Sequence, residues 1–127
     1  MLLEIQNLVK HFPARRGLGL AKRKALVKAV DGVNFSIPER GTFGLVGESG
    51  CGKTTVAKLV LLLERPTSGA ILFEGKDLTQ MPPREVKAYR LKAQAVFQDP
   101  YSSLDPRMKV GGILSEPLLA HHALPRR

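Results

Sequence analysis

The sequence is poor in cysteine and in aromatic residues. It has one cysteine, Cys51, no tryptophan, two tyrosines and five phenylalanines among 127 residues. A single cysteine excludes an internal disulfide. The longest uninterrupted apolar run, Leu59 to Leu63, is far too short to cross a bilayer. These shortages exclude a disulfide-stapled scaffold and predict a cytoplasmic domain of modest size with a single core.

The whole chain has a net charge of +9, and the positive charge is unevenly distributed. Acidic residues are missing from the interval between Glu4 and Asp31. That interval carries seven basic residues: Lys10, Arg15, Arg16, Lys22, Arg23, Lys24 and Lys28. Such a block could bind RNA, DNA or anionic lipid. The stretch RRGLGLAKRK contains glycines and no aromatic side chain for base stacking, so a solvated loop is favoured and no nucleic acid is expected as a partner.

The first 41 residues have the alternation of apolar and polar side chains that is typical of half-buried strands. LLEIQNLVKHF predicts one strand, and ALVKAVDGVNFSI, residues 25–37, predicts a second with a turn or bulge at Asp31-Gly32. The basic segment 13–24 separates them as an insertion. Residues 1–41 are therefore predicted to form an antiparallel β region.

From Thr42 the pattern changes to the alternating strands and helices of an α/β fold. TFGLVG is uniformly apolar, as in a parallel strand covered on both faces, and KTTVAKLVLLLE, residues 53–64, predicts a helix buried nearly all round. AILFEG (70–75) and AVFQ (95–98) predict further strands, with a helix in PPREVKAYRLKA between them. GGILSEPLLAHHAL predicts the start of a last helix, with Pro117 either near its first turns or kinking it.

The stretch GLVGESGCGKTT contains the pattern G-x-x-x-x-G-K-[ST], from Gly47 to Thr54. Glycines allow the backbone N–H groups to surround a polyphosphate, and the helix that follows adds its N-terminal dipole. In this interpretation Lys53 contacts the β- and γ-phosphates, and the Thr54 hydroxyl binds Mg²⁺. The remaining members of the cradle are Glu48, Ser49, Gly50, Cys51, Gly52 and Thr55. The sequence therefore predicts binding of a nucleoside triphosphate with Mg²⁺.

Several stretches together resemble the ATP-binding subunits of ABC transporters, and among these the oligopeptide and dipeptide importers. They are LVKHF, KAVDGVNFSIPERGTFGLVGESGCGKTT, PTSGAILFEGKDL and AVFQDPYSSLDPRMKVGGILSEPL. The resemblance implies a P-loop NTPase (RecA-like) core with an antiparallel β subdomain. It divides the chain into the antiparallel region 1–41, a P-loop core 42–98, and residues 99–127 as the Q-loop and the start of a helical subdomain.

The resemblance also implies roles for individual residues. Phe12 occupies the position of an aromatic residue that stacks on adenine, although a core phenylalanine at the end of a strand is an equally good interpretation of Phe12 alone. Gln98 matches the Q-loop glutamine near Mg²⁺ and the attacking water, so Lys53 and Gln98 are the candidate catalytic residues. Thr54 and Gln98 are the candidate magnesium ligands. The implied cofactors are ATP and Mg²⁺.

Three family motifs do not occur in the sequence: the LSGGQ-like signature, the Walker B strand with its acidic pair, and the switch histidine. The expectation is a chain truncated before the signature and Walker B, which binds ATP without hydrolysing it alone. The implied partners are transmembrane permease subunits and a second ATP-binding subunit, with peripheral attachment to the inner face of the membrane.

Two other functions stay open at this point. Residues 10–28 could form a basic module that binds nucleic acid or an anionic surface. Residues 98–124 could instead dock on a membrane subunit without any catalytic role. The transported substrate cannot be inferred from the sequence.

Overall fold

The computed structural model describes residues 1–16, 23–99, 101 and 104–121. They form two compact units, Met1–Pro82 and Pro83–Arg127. The first unit contains strands β1 (Leu3–Arg16), β2 (Arg23–Ile37), β3 (Ser68–Phe73) and β4 (Lys76–Asp77), helix α1 (Lys53–Val60), and a short 3₁₀ helix, Leu78–Gln80. The second unit contains helices α2 (Pro83–Lys92) and α3 (Val110–His121).

The four strands form one antiparallel sheet in the order β2-β1-β3-β4. β1 pairs with β2 from Leu3 opposite Ile37 to Arg16 opposite Arg23. On its other edge β1 pairs with β3, from Leu3 opposite Phe73 to Val9 opposite Ser68. β1 is therefore the central strand only over its first half, and beyond Val9 the sheet narrows to a two-stranded hairpin.

An irregularity at Asn7 sets which side chains of β1 face the core. Leu3 and Ile5 are buried in the expected alternation, and then Asn7 takes a left-handed φ of 45°. The register shifts there, and the next buried residue is Leu8, which is 0% exposed. The Asn34 side chain accepts a hydrogen bond from the Asn7 amide at 2.7 Å, so the bulge has a specific partner across the hairpin.

The prediction of two antiparallel strands in residues 1–41 is confirmed, but their predicted ends are wrong. β1 continues through Pro13 to Arg16 and β2 begins at Arg23, where an insertion over 13–24 was expected to interrupt them. Pro13 is tolerated because β3 has already ended at this point, so Pro13 has a strand neighbour on one edge only. Residues 17–22 of the predicted insertion lie outside the described part of the chain.

Helix α1 is shorter and less buried than the sequence predicted. It ends at Val60, and only Val56 and Leu59 are buried. Leu62 follows with a left-handed φ of 54°, while the amides of Leu62 and Leu63 donate to the carbonyls of Leu59 and Lys58 at 3.1 and 2.9 Å. These are the two hydrogen bonds of a Schellman motif, and they stop the helix four residues before Glu64.

Two strands predicted for the P-loop core are not formed among the described residues. Residues 41–48 and 93–97 have no strand assignment, and Val46 and Val96 are 91% and 92% exposed. A strand exists through hydrogen bonds to a neighbour, and no described strand pairs with either segment. Phe43 instead stacks on Phe35 of β2, with ring centroids 4.5 Å apart.

Two predicted helices are confirmed in the second unit. α2 begins at Pro83, as expected for a proline in a first turn. Tyr89 is the buried residue of this helix, and its burial raises the pKa of the phenol. α3 contains Pro117 as the eighth of its twelve residues, which is later than the first turns, where one of the two alternatives placed it. Residues 122–124, which belong to the last predicted helical segment, lie outside the described part of the chain.

Candidate phosphate-binding site

The loop from Gly47 to Gly52 connects the exposed segment 41–46 to α1. The amide of Cys51 donates to the carbonyl of Glu48 at 3.3 Å and closes a turn. Gly50 and Gly52 have φ values of 82° and 100°, in the region where a side chain is strained. A Cβ at Gly52 would also collide with the backbone carbonyl oxygen of Ala29 in β2. Glycine is therefore required at position 52 by the backbone conformation and by the close approach of β2.

Helix α1 presents an uncompensated N-terminus at the end of this loop. Gly52 is its N-cap and has no side chain to cap the helix, and the first turn contains no acidic residue. The first helical hydrogen bond runs from the Val56 amide to the Gly52 carbonyl at 2.9 Å. The amides of Lys53, Thr54 and Thr55 consequently have no acceptor within the helix. Together with the helix dipole, these donors favour an anion at this position.

The ammonium of Lys53 folds back over its own loop. It donates to the carbonyl oxygens of Gly47 and Glu48 at 2.7 and 2.6 Å, and lies 3.6 Å from the Cys51 sulfur. The lysine therefore holds its positive charge against the loop, at the carbonyl oxygens of Gly47 and Glu48. Two loop carbonyl oxygens occupy acceptor positions around the ammonium, the kind of position that an anionic oxygen can also take.

A cavity of about 290 Å³ adjoins the loop in the same unit. Its walls combine the loop and α1 with β2 and the preceding segment: Lys28, Ala29, Val30, Asp31, Val33, Leu45, Val46, Cys51, Gly52, Lys53 and Val56. The loop thus opens into a space bounded by a strand on one side and the helix N-terminus on the other.

Asp31 on the wall of this cavity is held in an ion-pair cluster. Its carboxylate contacts the Lys28 ammonium and the His11 ring, each at 3.1 Å. The hydrogen bond from Lys28, followed by that from His11, lowers the pKa of Asp31 below its usual value. The cavity wall accordingly keeps an ionised carboxylate whose charge is countered by neighbours.

Phe12 lies on β1 opposite Val27, in the same unit as the loop, and its side chain is half-buried. It does not line the cavity, although Val27 is adjacent to Lys28, which does. The Lys10 ammonium lies 4.8 Å from the centroid of the Phe12 ring. One face of the ring is therefore occupied by a cation.

The structure brings together most, but not all, of the residues singled out from the sequence. Residues 47–55 form one continuous cradle, with Thr54 exposed on the first turn of α1. Gln98 belongs to the second unit, where it is exposed in a bend and followed by Asp99, whose carboxylate accepts a hydrogen bond from the Tyr101 amide at 3.2 Å.

Sequence reasoning missed Lys10, Lys28 and Asp31 as neighbours of the candidate site. Lys10 stands two positions before Phe12, so strand alternation could have placed both on one face of β1. The pairing of Asp31 with His11 depends on a register shift after Lys10, which has no signature in the sequence.

Within the described residues, no helix is both long and apolar enough to cross a membrane.

Comparison with known proteins places these features in a family. A sequence model described as ABC transporter matches residues 30–121. The dipeptide transport ATP-binding protein DppF of Escherichia coli K12 is 46% identical over 98% of this chain, and the oligopeptide transport ATP-binding protein AppF of Bacillus subtilis 168 is 42% identical over 99%. This chain spans 37% and 38% of the lengths of those two relatives.

Solved structures give a matching picture of the fold. The ATP-binding cassette MJ0796, in a dimeric post-hydrolysis state bound to ADP and Pi, has a TM-score of 0.74 at 21% identity. A second dimeric structure of MJ0796 has a TM-score of 0.75 at 20% identity. Each alignment covers 98% of this chain and 50% of the other. At these identities the likeness bears on the fold alone, and it confirms the fold class predicted from the sequence.

Proposed function

The chain belongs to the ABC transporter family of ATP-binding cassettes, and we propose that it binds ATP with Mg²⁺ as part of an ATP-driven importer of peptides. The proposal for peptide transport rests on the relatives, which are named for dipeptide and oligopeptide transport. The proposal for ATP rests on the loop, the helix N-terminus and the lysine described above.

One observation carries the nucleotide proposal. Lys53 Nζ lies within 2.7 Å of two carbonyl oxygens of the loop that leads into α1, and the N-terminus of that helix has neither an acidic first turn nor a side-chain cap. One short segment, residues 47–55, thus supplies both a cation and the amides of a helix N-terminus. Polyphosphate is the ligand that satisfies both kinds of donor at once.

The roles of the loop residues follow from these positions. In the proposed complex the amides of Lys53, Thr54 and Thr55 donate to phosphate oxygens, and the Lys53 ammonium exchanges its two carbonyl partners for phosphate oxygens. Glu48, Ser49 and Cys51 contribute backbone rather than side-chain chemistry. Gly47 and Gly52 keep the loop narrow, since a Cβ at Gly47 would lie 2.6 Å from the Cys51 sulfur.

The Thr54 hydroxyl is the proposed protein ligand of Mg²⁺ in the first unit. A hard cation that retains most of its waters needs only one or two protein oxygens beside the phosphates, and the exposed Thr54 on the first turn of α1 fits that requirement. The proposed role of Gln98 near Mg²⁺ rests only on its match to the family glutamine. Phe12 is the proposed stacking partner of the adenine ring.

We expect ATP to be bound by these residues without efficient hydrolysis. Asp31 is the one carboxylate among the described residues that line the cavity, and Lys28 and His11 already engage it. Phosphoryl transfer requires a group that orients the attacking water in addition to a phosphate cradle. Membrane permease subunits and a second ATP-binding subunit are the proposed partners, which would attach the chain peripherally to the membrane.

The decisive experiment is equilibrium binding of a fluorescent ATP analogue with Mg²⁺ to the purified chain and to Lys53→Ala. Loss of the charged donor is expected to weaken binding about ten- to a hundredfold, because a hydrogen bond from a charged group contributes ~1.5–3 kcal/mol. The matched control is Lys58→Ala, which removes an exposed lysine from the same helix and should leave the affinity unchanged.

Circular dichroism of all three samples separates loss of binding from loss of folding. Equal affinities in the unaltered chain and Lys53→Ala would contradict the proposal. ATP binding that does not depend on Lys53 but falls steeply with salt would instead support the basic residues between positions 10 and 28 as the binding surface.

A further inference from the structure

The ammonium of Lys10 is held on three sides within the first unit. It donates to the Glu64 carboxylate at 3.0 Å and to the Arg65 carbonyl at 2.7 Å, and it lies 4.8 Å from the centroid of the Phe12 ring. The Lys10 side chain is only 13% exposed. A lysine that is this buried and this fully paired is fixed in one conformation.

These contacts fasten the segment after α1 to the strand that carries Phe12. The Thr67 amide donates to the Val9 carbonyl at 2.8 Å, and the Thr67 hydroxyl accepts from the His11 amide at 3.0 Å. The chain from Glu64 to Thr67 therefore runs along β1 beside Lys10. The segment that follows α1 and the Phe12 ring therefore both contact the Lys10 ammonium.

We propose that Lys10 is a positioning residue for the nucleotide base, acting through the Phe12 ring. The inference rests on the proposed function, since it takes Phe12 as the residue that stacks on adenine. Lys10 covers one face of the ring and fixes the ring's orientation on β1. In this proposal the base stacks on the face of the ring that Lys10 does not cover.

The physical reason is preorganisation. A cation within about 6 Å of a ring centroid is attracted to the ring's negative face, and the attraction increases when the cation is desolvated. Glu64 and Arg65 hold that cation in place, so the ring does not need to be ordered when the nucleotide arrives. Binding to a side chain that is already fixed avoids the entropy cost of immobilising it.

A purely structural ion pair would have a different signature. Loss of Lys10 would then weaken the fold and reduce binding of every ligand of the loop to the same extent. If Lys10 acts through Phe12, its loss affects only ligands that carry a base. The ratio of affinities for ATP and for inorganic tripolyphosphate separates the two roles, because tripolyphosphate has the phosphates without the base.

The experiment measures that ratio by calorimetry with Mg²⁺ for the full chain, Lys10→Met, Glu64→Gln and Phe12→Leu. Lys10→Met is expected to weaken ATP about three- to tenfold and to leave tripolyphosphate unchanged, in line with the usual strength of a partly buried cation–π contact. Glu64→Gln should shift the ratio in the same direction by less, because the amide still accepts a hydrogen bond but carries no charge. Lys58→Met is the control for loss of a positive charge.

The double variant Lys10→Met/Phe12→Leu tests the route of the effect. If Lys10 acts through the ring, adding Lys10→Met to Phe12→Leu changes the ratio no further, and the two effects are non-additive. Additive effects, or equal losses for both ligands, would overturn the inference. Should Lys10→Met fail to fold, the ratio measured on Glu64→Gln decides, and an unchanged ratio there overturns it.

Failure of the proposed function gives a distinct pattern. If the unaltered chain and Lys53→Ala bind ATP equally, the phosphate site is wrong and the inference falls with it. If Lys53→Ala loses both ligands while Lys10→Met keeps the ratio of the unaltered chain, only the inference about Lys10 is overturned.

Discussion

At the scale of single residues, the loop from Gly47 to Gly52 depends on glycines at positions where a side chain would be strained or would collide with its surroundings. Gly52 and Gly50 belong to the same loop and share a left-handed backbone conformation, but they differ in their surroundings. A Cβ at Gly52 meets the Ala29 carbonyl, whereas a Cβ at Gly50 meets nothing within 4 Å. The two positions therefore separate the cost of conformation from the cost of collision.

Alanine at each position provides a matched pair. Gly50→Ala should lower the free energy of unfolding by ~1–2 kcal/mol, the conformational cost alone. Gly52→Ala should lower it by more, and should also abolish ATP binding, because β2 and the loop must move apart. Urea unfolding and ATP titration of both variants measure this, and equal losses would show that the close approach of Ala29 is unimportant.

Asp31 gives a prediction for pH. The hydrogen bond from Lys28, and then the one from His11, lowers the folded-state pKa of Asp31 below its usual value of 3.8. The ionised carboxylate therefore stabilises the folded state at pH values above the unfolded-state pKa. That contribution is lost as the pH falls below about 4 and through the folded pKa. In an NMR titration of the carboxyl carbon, the midpoint should lie below 3.8 and rise in Lys28→Met. Lys58→Met should leave it in place, and a midpoint above 3.8 in the unaltered chain would contradict the pairing.

At the scale of elements, α1 is anchored to the first unit by few side chains. Val56 and Leu59 are its buried residues, and the Schellman motif ends the helix before the remaining leucines can extend the apolar face. Leu59 is 0% exposed and Leu63 is 53% exposed. Helix α1 is consequently held largely by two side chains, about one turn apart.

Leu59→Ala should therefore lower the free energy of unfolding by ~2–5 kcal/mol, the range for a buried leucine that leaves a cavity. Leu63→Ala has the same change in composition on an exposed side chain and should cost less than ~1 kcal/mol. Urea midpoints of the two variants test this. Similar losses would mean that the end of the helix contributes more to packing than its burial indicates.

At the scale of the whole molecule, the elements that were predictable are those whose signals are local. The strands around Leu3 and Val30 show apolar alternation, and α2 begins at a proline as its sequence indicates. The glycine spacing from Gly47 to Gly52 likewise predicts a phosphate-binding loop from neighbouring residues alone, and that role stays a prediction. In each case the residues that determine the feature lie within a few positions of one another.

The features that could not be predicted depend on distant partners. The uniformly apolar TFGLVG has the composition of a buried parallel strand, but composition does not supply a neighbouring strand, and none of the described strands pairs with it. The contact between Lys10 and Glu64 joins residues 54 positions apart. The length of the hairpin was missed because glycines and charges at 17–24 suggested a loop, while the pairing of Arg16 with Arg23 follows from register.

The order β2-β1-β3 has a consequence for the time course of folding. The hairpin of β1 and β2 can close as soon as residue 37 has been made, but the second neighbour of β1 ends only at Phe73. Residues 38–67 connect β2 to β3, and they contain both the loop from Gly47 to Gly52 and α1. Pairing across so long a connection is slower than forming the hairpin. During synthesis on the ribosome, the loop from Gly47 to Gly52 therefore emerges before β3, the strand that pairs with the second edge of β1.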